Sequence, residues 1–315
     1  MTNPNAASSP KKKPGFFARA IEQWDLQVLV LPGILLLFVF SYIPIYGLIM
    51  AFQEYRLGDF PGMSQWVGFL QFEYIFSDSN LPLVLRNTMV ISLLKLTIGF
   101  VCPIIFAVFL NEMGNQTIKK TIQTVSYLPH FISWTVCALL MFDFLSTDGG
   151  AVNEMLMGIG LIDKPIGFFQ DGKYFWGIAL LTDIWKELGW NSIIFISALA
   201  GIDPELYDAA RIDGAGRWKQ TLYITLPCLI PTIVILFILR IGQIMNVGYE
   251  KIILMYGPAT YETADVISSY VYRVGLTSAD YSYSTAINLF NSVINFVVLF
   301  AANHISKRVS DTSLW

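Results

Sequence analysis

Three stretches of this 315-residue chain set amides, charges and indoles at helical spacing within otherwise apolar sequence. In the first, Asp183, Lys186, Glu187 and Trp190 fall on one side of a helix at 100° per residue, with Trp185 and Asn191 beside them. In the second, Arg240, Gln243, Asn246 and Glu250 fill a similar arc. In the third, Asn288, Asn291 and Asn295 recur at i, i+3 and i+7, one turn after Ser284. At membrane depth an ionisable side chain costs about 3 kcal/mol on insertion scales, so such residues face a protein interior or a water-filled cavity. Amides, charged forks and an indole plate suit a ligand made of hydroxyls and ring faces, which makes these stripes candidates for a polar translocation path. They serve equally as glue between helices, since Lys186 can neutralise Asp183 and asparagines bridge neighbours. The residues alone leave both readings open. Lys95, single in its run, reads as an ion-paired residue.

The elements that must position these residues are transmembrane helices. The chain is 55% hydrophobic and only 14% charged, against about 25% charged in soluble domains. The class is therefore an all-α polytopic membrane protein. Runs of about 20 apolar residues predict six transmembrane helices, over 28–52, 84–110, 121–145, 175–200, 222–247 and 285–304. Prolines at 32, 44, 103, 129, 227 and 231 predict kinks. The first run is too long for a signal-peptide core and reads as a retained span. Eleven Lys and Arg, including Lys11 to Lys13, fall on one side of this arrangement and six, including Lys251, on the other. The excess places both termini and the 201–221 loop in the cytoplasm. The domain reading is a cytoplasmic tail over 1–23, a six-helix permease domain over 24–306 and a cytoplasmic tail over 307–315. On the outer side, Thr263 is expected to cap a helix running from Ala264 to Val274. Cys102, Cys137 and Cys228 lie in apolar sequence and suggest neither disulfides nor a metal site.

Between the fourth and fifth runs lies ELYDAARIDGAGRWKQTLYITLP, residues 205–227. Asp203 can cap a helix whose first position is Pro204. Glu205 and Asp208 sit where negative charge suits the helix dipole, and Asp208 can pair with Arg211. Gly214 is a natural stop. Ala209, Ala210, Gly214 and Ala215 leave little side-chain bulk, so a partner's backbone can approach.

Within this segment, Ala209-Ala210 is followed at fixed spacing by Gly214, Ile224 and Leu226-Pro227. It resembles the coupling loop of binding-protein-dependent ABC importer permeases, whose signature begins Glu-Ala-Ala. Asp208 stands in place of that glutamate, keeping the charge on a shorter side chain. The stretches 31–55, LRNT (85–88), DIWKELGWN (183–191), 246–276 and 280–290 are similar to the polysaccharide- and oligosaccharide-importing branch, including alginate-type and lipoprotein-B-type subunits. The resemblance covers roughly residues 24–315. It implies a type I ABC importer permease fold in a bacterial-type cell membrane. It further implies a second homologous permease, two nucleotide-binding ATPase subunits and an extracytoplasmic solute-binding protein that delivers an oligosaccharide. Glu205, Asp208, Ala209, Ala210, Arg211, Asp213, Gly214 and Ala215 would then couple to the ATPase. ATP and magnesium would belong to that partner, with no cofactor in this chain, no enzyme activity of its own and no nucleic-acid partner. The P-loop-like run Gly167–Lys173 continues with Tyr174 rather than Ser or Thr and carries no such function. His130 and His304 are far apart and form no metal site. Two alternatives remain on sequence: an ABC permease for a non-sugar solute, and a self-contained secondary transporter.

Overall fold

The computed structural model describes residues 23–309. The expectations for the N-terminal tail, with its lysine triplet, and for residues 310–315 lie outside the described residues. The chain opens with helix α1 (Trp24–Leu37), which continues through a π turn (Phe38–Tyr42) and a 3-10 helix (Ile43–Phe52). A short antiparallel hairpin, β1 (Gln53–Glu54) and β2 (Gln65–Trp66), and α2 (Leu70–Ser77) follow. Helix α3 (Leu81–Leu94) passes through a π turn (Lys95–Gly99) into α4 (Phe100–Glu112). Then come α5 (Gln116–Tyr127), α6 (Trp134–Phe144), α7 (Ala151–Gly158), the long α8 (Phe175–Ala200) and the short α9 (Pro204–Ile212). Helix α10 (Arg217–Gln220) and a π turn (Thr221–Thr225) lead into α11 (Leu226–Ile241). Three short helices, α12 (Tyr249–Met255), α13 (Tyr261–Ala264) and α14 (Ile267–Tyr272), precede α15 (Tyr281–Val309).

Among the described residues four helical runs are long and apolar enough to cross a membrane: Trp24–Phe52, Leu81–Glu112, Arg217–Ile241 and Tyr281–Lys307. Helix α8 has the length, 26 residues or about 39 Å at 1.5 Å per residue, but Asp183, Lys186 and Glu187 interrupt its apolar character.

The prolines act through the backbone. Each lacks an N–H, which frees the carbonyl four residues earlier. In three runs that carbonyl lies in a π turn: Phe40 before Pro44, Gly99 before Pro103 and Tyr223 before Pro227. The wider turn lets the helix continue past the missing bond.

The predicted continuous span over 121–145 is instead two helices. Gln116–Phe131 and Trp134–Phe144 meet at a 104° bend. Pro129 sits in a 3-10 turn (Leu128–Phe131), Ile132 and Ser133 are extended, and Ser133 Oγ accepts the Val136 N–H to start α6 afresh. The predicted helix over 264–274 is also corrected. Helix α13 ends at Ala264, and Asp265 and Val266 are extended before α14 begins. Thr263 is not its cap: its hydroxyl donates to the Gly172 carbonyl at 2.6 Å. The local start comes from Ser269, whose Oγ accepts the Val266 N–H.

Helices α4, α8 and α11 share a core of Phe100, Ile104, Phe195, Leu199 and Leu229. Gly189 lets α5 lie directly against α8, since a Cβ there would meet the Ser126 carbonyl oxygen at 2.2 Å. The LRNT stretch ties α3 to the α13–α14 segment. Asn87 Nδ2 donates to the Glu262 and Asp265 carbonyls, and Thr88 Oγ1 accepts the Ile267 N–H at 2.9 Å.

Candidate functional site

Helices α8 and α11, the Lys95–Gly99 turn and the 246–251 segment enclose a cavity of about 450 Å³. A second cavity of about 240 Å³ lies between α4, α8 and α11. Asn191, Arg240 and Pro103 line both. The first two polar stripes therefore converge. Asp183, Glu187, Asn191, Arg240, Asn246 and Glu250 line the larger cavity, and Gln243 lines the smaller one.

The ionisable groups here are mostly paired. Asp183 Oδ2 lies 3.4 Å from Lys95 Nζ and also accepts a hydrogen bond from Lys251 Nζ. Lys95 further donates to the Val247 carbonyl at 3.3 Å. Lys251, placed with the outer-side cations on sequence, is only 2% exposed and belongs to this cluster. The reason is the turn at Asn246–Gly248, which folds α12 back against α6 and α8 instead of leaving it in solvent. Glu187 Oε2 lies 2.8 Å from His130 Nδ1, and the His130 ring stacks on Trp190 at 4.2 Å with planes 2° apart.

Lys186 lines neither cavity. Its Nζ donates to the carbonyls of Pro129, His130 and Ile132 at 3.2, 2.6 and 2.5 Å. These carbonyls lie where the α5–α6 bend interrupts the helical ladder; that of Pro129 also accepts the Ile132 N–H at 3.2 Å, and the cation supplies a charged donor to all three. Trp134 is a cavity-lining residue that the stripes do not contain. It lines the larger cavity and places its ring 5.3 Å from Lys186 Nζ and 5.9 Å from Lys251 Nζ. Its signal in sequence is its position one residue past the Ser133 cap, which becomes readable once the bend is known.

The remaining candidates sit elsewhere. Trp185 points to the outside of α8 and is exposed. The third stripe does not reach the cavities: Asn288 is exposed, and Asn295 Oδ1 accepts the Met245 N–H at 3.1 Å, joining α15 to the end of α11. Asn291 Oδ1 is buried and accepts no hydrogen bond. Among the described residues the Arg240 guanidinium makes no ion pair or hydrogen bond, although it lines both of these cavities and a third, smaller one beside Lys95 and Gln243.

The 205–227 segment stands apart from the cavities and is largely exposed. Asp203 caps α9 by accepting the Glu205 N–H at 3.0 Å, with Pro204 at the first helical position. Gly214 closes it at φ +77°. Ala215 N–H bonds to Ala210 O at 2.8 Å and Gly214 N–H to Arg211 O at 3.1 Å, the paired bonds of a Schellman end. Asp208 and Arg211 form a surface pair. Glu205, Ala209 and Asp213 face outward, and Ile212 and Trp218 are 87% and 78% exposed. Tyr207 faces inward, with its hydroxyl 3.0 Å from Thr225 Oγ1 in the π turn that starts α11. Thr221 in the same turn donates to Glu112 at the end of α4. Helix α9 is thus joined to α8 through the chain and to α11 through a side-chain bond.

Residues 99–311 match the family model described as binding-protein-dependent transport system inner membrane component. The chain is 40% identical to Protein LplB of Bacillus subtilis over 93% of its length and 92% of that protein's. It is 36% identical to the polygalacturonan/rhamnogalacturonan transport system permease protein YteP of the same organism, over 97% of this chain and 94% of the other. Among solved structures it is similar, with a TM-score of 0.85 and 41% identity, to a chain of a bacterial alginate ABC transporter in complex with an alginate pentasaccharide-bound periplasmic protein. That match covers 95% of this chain and 99% of the other.

Proposed function

This chain belongs to the family of binding-protein-dependent transport system inner membrane components, and on that premise we propose that it is the transmembrane permease subunit of an ATP-driven importer for an oligosaccharide or polysaccharide. It is a transport subunit embedded in the membrane, and ATP hydrolysis belongs to a separate subunit. In this reading six spans cross the cell membrane, formed by the four apolar runs, the bent α5–α6 pair and α8, with both termini in the cytoplasm. An extracytoplasmic binding protein delivers the sugar. A second homologous permease completes the pore, and two ATPase subunits carry ATP and magnesium.

One observation carries the mechanism: the two helices that wall the cavities, α8 and α11, are the two between which α9 is strung. Displacing α9 moves both walls. Glu205, Asp208, Ala209, Arg211 and Asp213 form the surface that meets the ATPase, and Asp203, Tyr207 and Gly214 hold the lever rigid. Closure of the ATPase dimer on ATP then pulls α9, the walls part toward the outside, and sugar enters the path lined by Asp183, Glu187, Asn191, Arg240, Gln243 and Asn246. Hydrolysis returns the inward-facing state. Lys186, Trp190 and Asn295 brace the helices.

The test uses Ala209→Cys in a chain whose three native cysteines are replaced by serine. Membrane-impermeant maleimide should label it only from the cytoplasmic side, and a short crosslinker should join it to the ATPase subunit. Labelling from the outside overturns the orientation and the coupling role together.

A further inference from the structure

The cations around the cavities differ in what they already hold. Lys95 and Lys251 share Asp183. Lys186 is saturated by three carbonyls. Among the described residues the Arg240 side chain alone of these four has neither a carboxylate within 4 Å nor a hydrogen bond. It also lines the smaller cavity, where it is the sole ionisable residue. The other walls there include Phe100, Phe195 and Leu236, with the amides of Asn191 and Gln243 beside the guanidinium.

We propose that Arg240 is a specificity-determining residue of the path, recognising the carboxylate of an acidic sugar unit as it passes the neck between the two cavities. This rests on the sugar-permease reading above and adds the charge of the cargo. A guanidinium presents a planar fork that matches a carboxylate through two parallel bonds. Apolar walls lower the local dielectric and strengthen that pairing relative to water. The amides suit ring hydroxyls, and the Phe100 face suits the C–H side of a pyranose. Glu187 and Glu250 line only the larger cavity, so an anionic unit meets uncompensated positive charge at Arg240 and mixed charge elsewhere.

The experiment measures binding to the assembled permease–ATPase complex in nanodiscs, without the binding protein, using saturation-transfer NMR. The probes are tri-galacturonate and the same trisaccharide with its carboxyl groups reduced to alcohols. The wild-type complex should prefer the acid by about tenfold or more, the size of one charge-assisted hydrogen-bonded pair, and the preference should shrink as salt is raised. Arg240→Gln should erase the preference while still binding the reduced sugar, and Arg240→Lys should keep part of it. If Arg240→Gln does not assemble, the salt dependence of the wild type and the partial preference of Arg240→Lys carry the test. Equal wild-type binding of both probes, or an undiminished preference in Arg240→Gln, overturns the inference and leaves the sugar reading standing. A wild-type complex that binds neither probe counts against both.

Discussion

Replacing Gly189 by alanine adds one methyl group where α8 touches α5. That Cβ would sit 2.2 Å from the Ser126 carbonyl oxygen and 2.4 Å from its carbon. Ordinary C···O contacts begin near 3.3 Å, so the two backbones must separate by about 1 Å. Both partners are helical backbone, so no side chain can rotate away. Overpacking of this kind costs about 1–3 kcal/mol. The separation also stretches the Lys186 bonds to the bend, of which the one to Pro129 is already 3.2 Å long. Losing one charge-assisted bond adds about 1.5–3 kcal/mol, giving a total on the order of 2.5–6 kcal/mol. Gly177 on the same helix is the control, because a Cβ there meets nothing within 4 Å and alanine improves helix propensity by up to about 1 kcal/mol. Thermal unfolding of the detergent-solubilised complex reads the difference. Gly189→Ala should lower the midpoint by roughly 5–10 °C, and Gly177→Ala should leave it unchanged or raise it. Equal midpoints for Gly189→Ala and wild type would show that α5 and α8 do not meet at this residue, and the account of the bend anchored by Lys186 would fail.

Asp183→Asn leaves the buried Lys251 and the half-buried Lys95 without their shared carboxylate, a loss of about 3–5 kcal/mol; yield and melting temperature should fall, and Asp183→Asn with Lys251→Met should recover part of both. Tyr207→Phe removes the hydroxyl between α9 and Thr225 at a cost of about 1 kcal/mol. Sugar uptake per ATP hydrolysed should drop about fivefold while the complex still assembles. Burial pushes the Asp78 carboxyl up, but hydrogen bonds from Tyr270, the Asn80 backbone and Tyr283 more than reverse this and hold it below the ordinary carboxylate value. A depressed carboxylate stabilises the fold above its unfolded pKa and loses that contribution as pH falls through the folded value. The stability gap between wild type and Asp78→Asn should therefore be constant near neutrality and close below about pH 4; a gap that persists in acid would contradict the clamp.

Local chemistry makes α9 legible in the residues themselves. Asp203, Pro204 and Gly214 define their helix within a dozen residues, and each acts as its type predicts. The first two polar stripes are legible for the same reason, since helical periodicity places residues on one face whatever the tertiary fold. What that face meets is a different matter. Asn288, Asn291 and Asn295 have the same periodicity and look away from the cavities, because the packing of α15 turns them toward α11 or outward. Lys251 lies in what reads as an exposed loop, and only the reversal at Asn246–Gly248 brings it to Asp183. The bend at 132–133 is hidden because its stabiliser, Lys186, lies more than fifty residues away. Local signals give Pro129 a kink, whereas a distant cation allows a 104° corner.

The central claim is that this chain moves sugar only when an external motor drives α9. Proteoliposomes holding the purified chain with its partner permease, the ATPase and the binding protein should take up oligosaccharide only when ATP is supplied on the ATPase side. Liposomes holding this chain without the ATPase should take up none. Sugar accumulation by the chain in the absence of any ATPase would contradict the account outright.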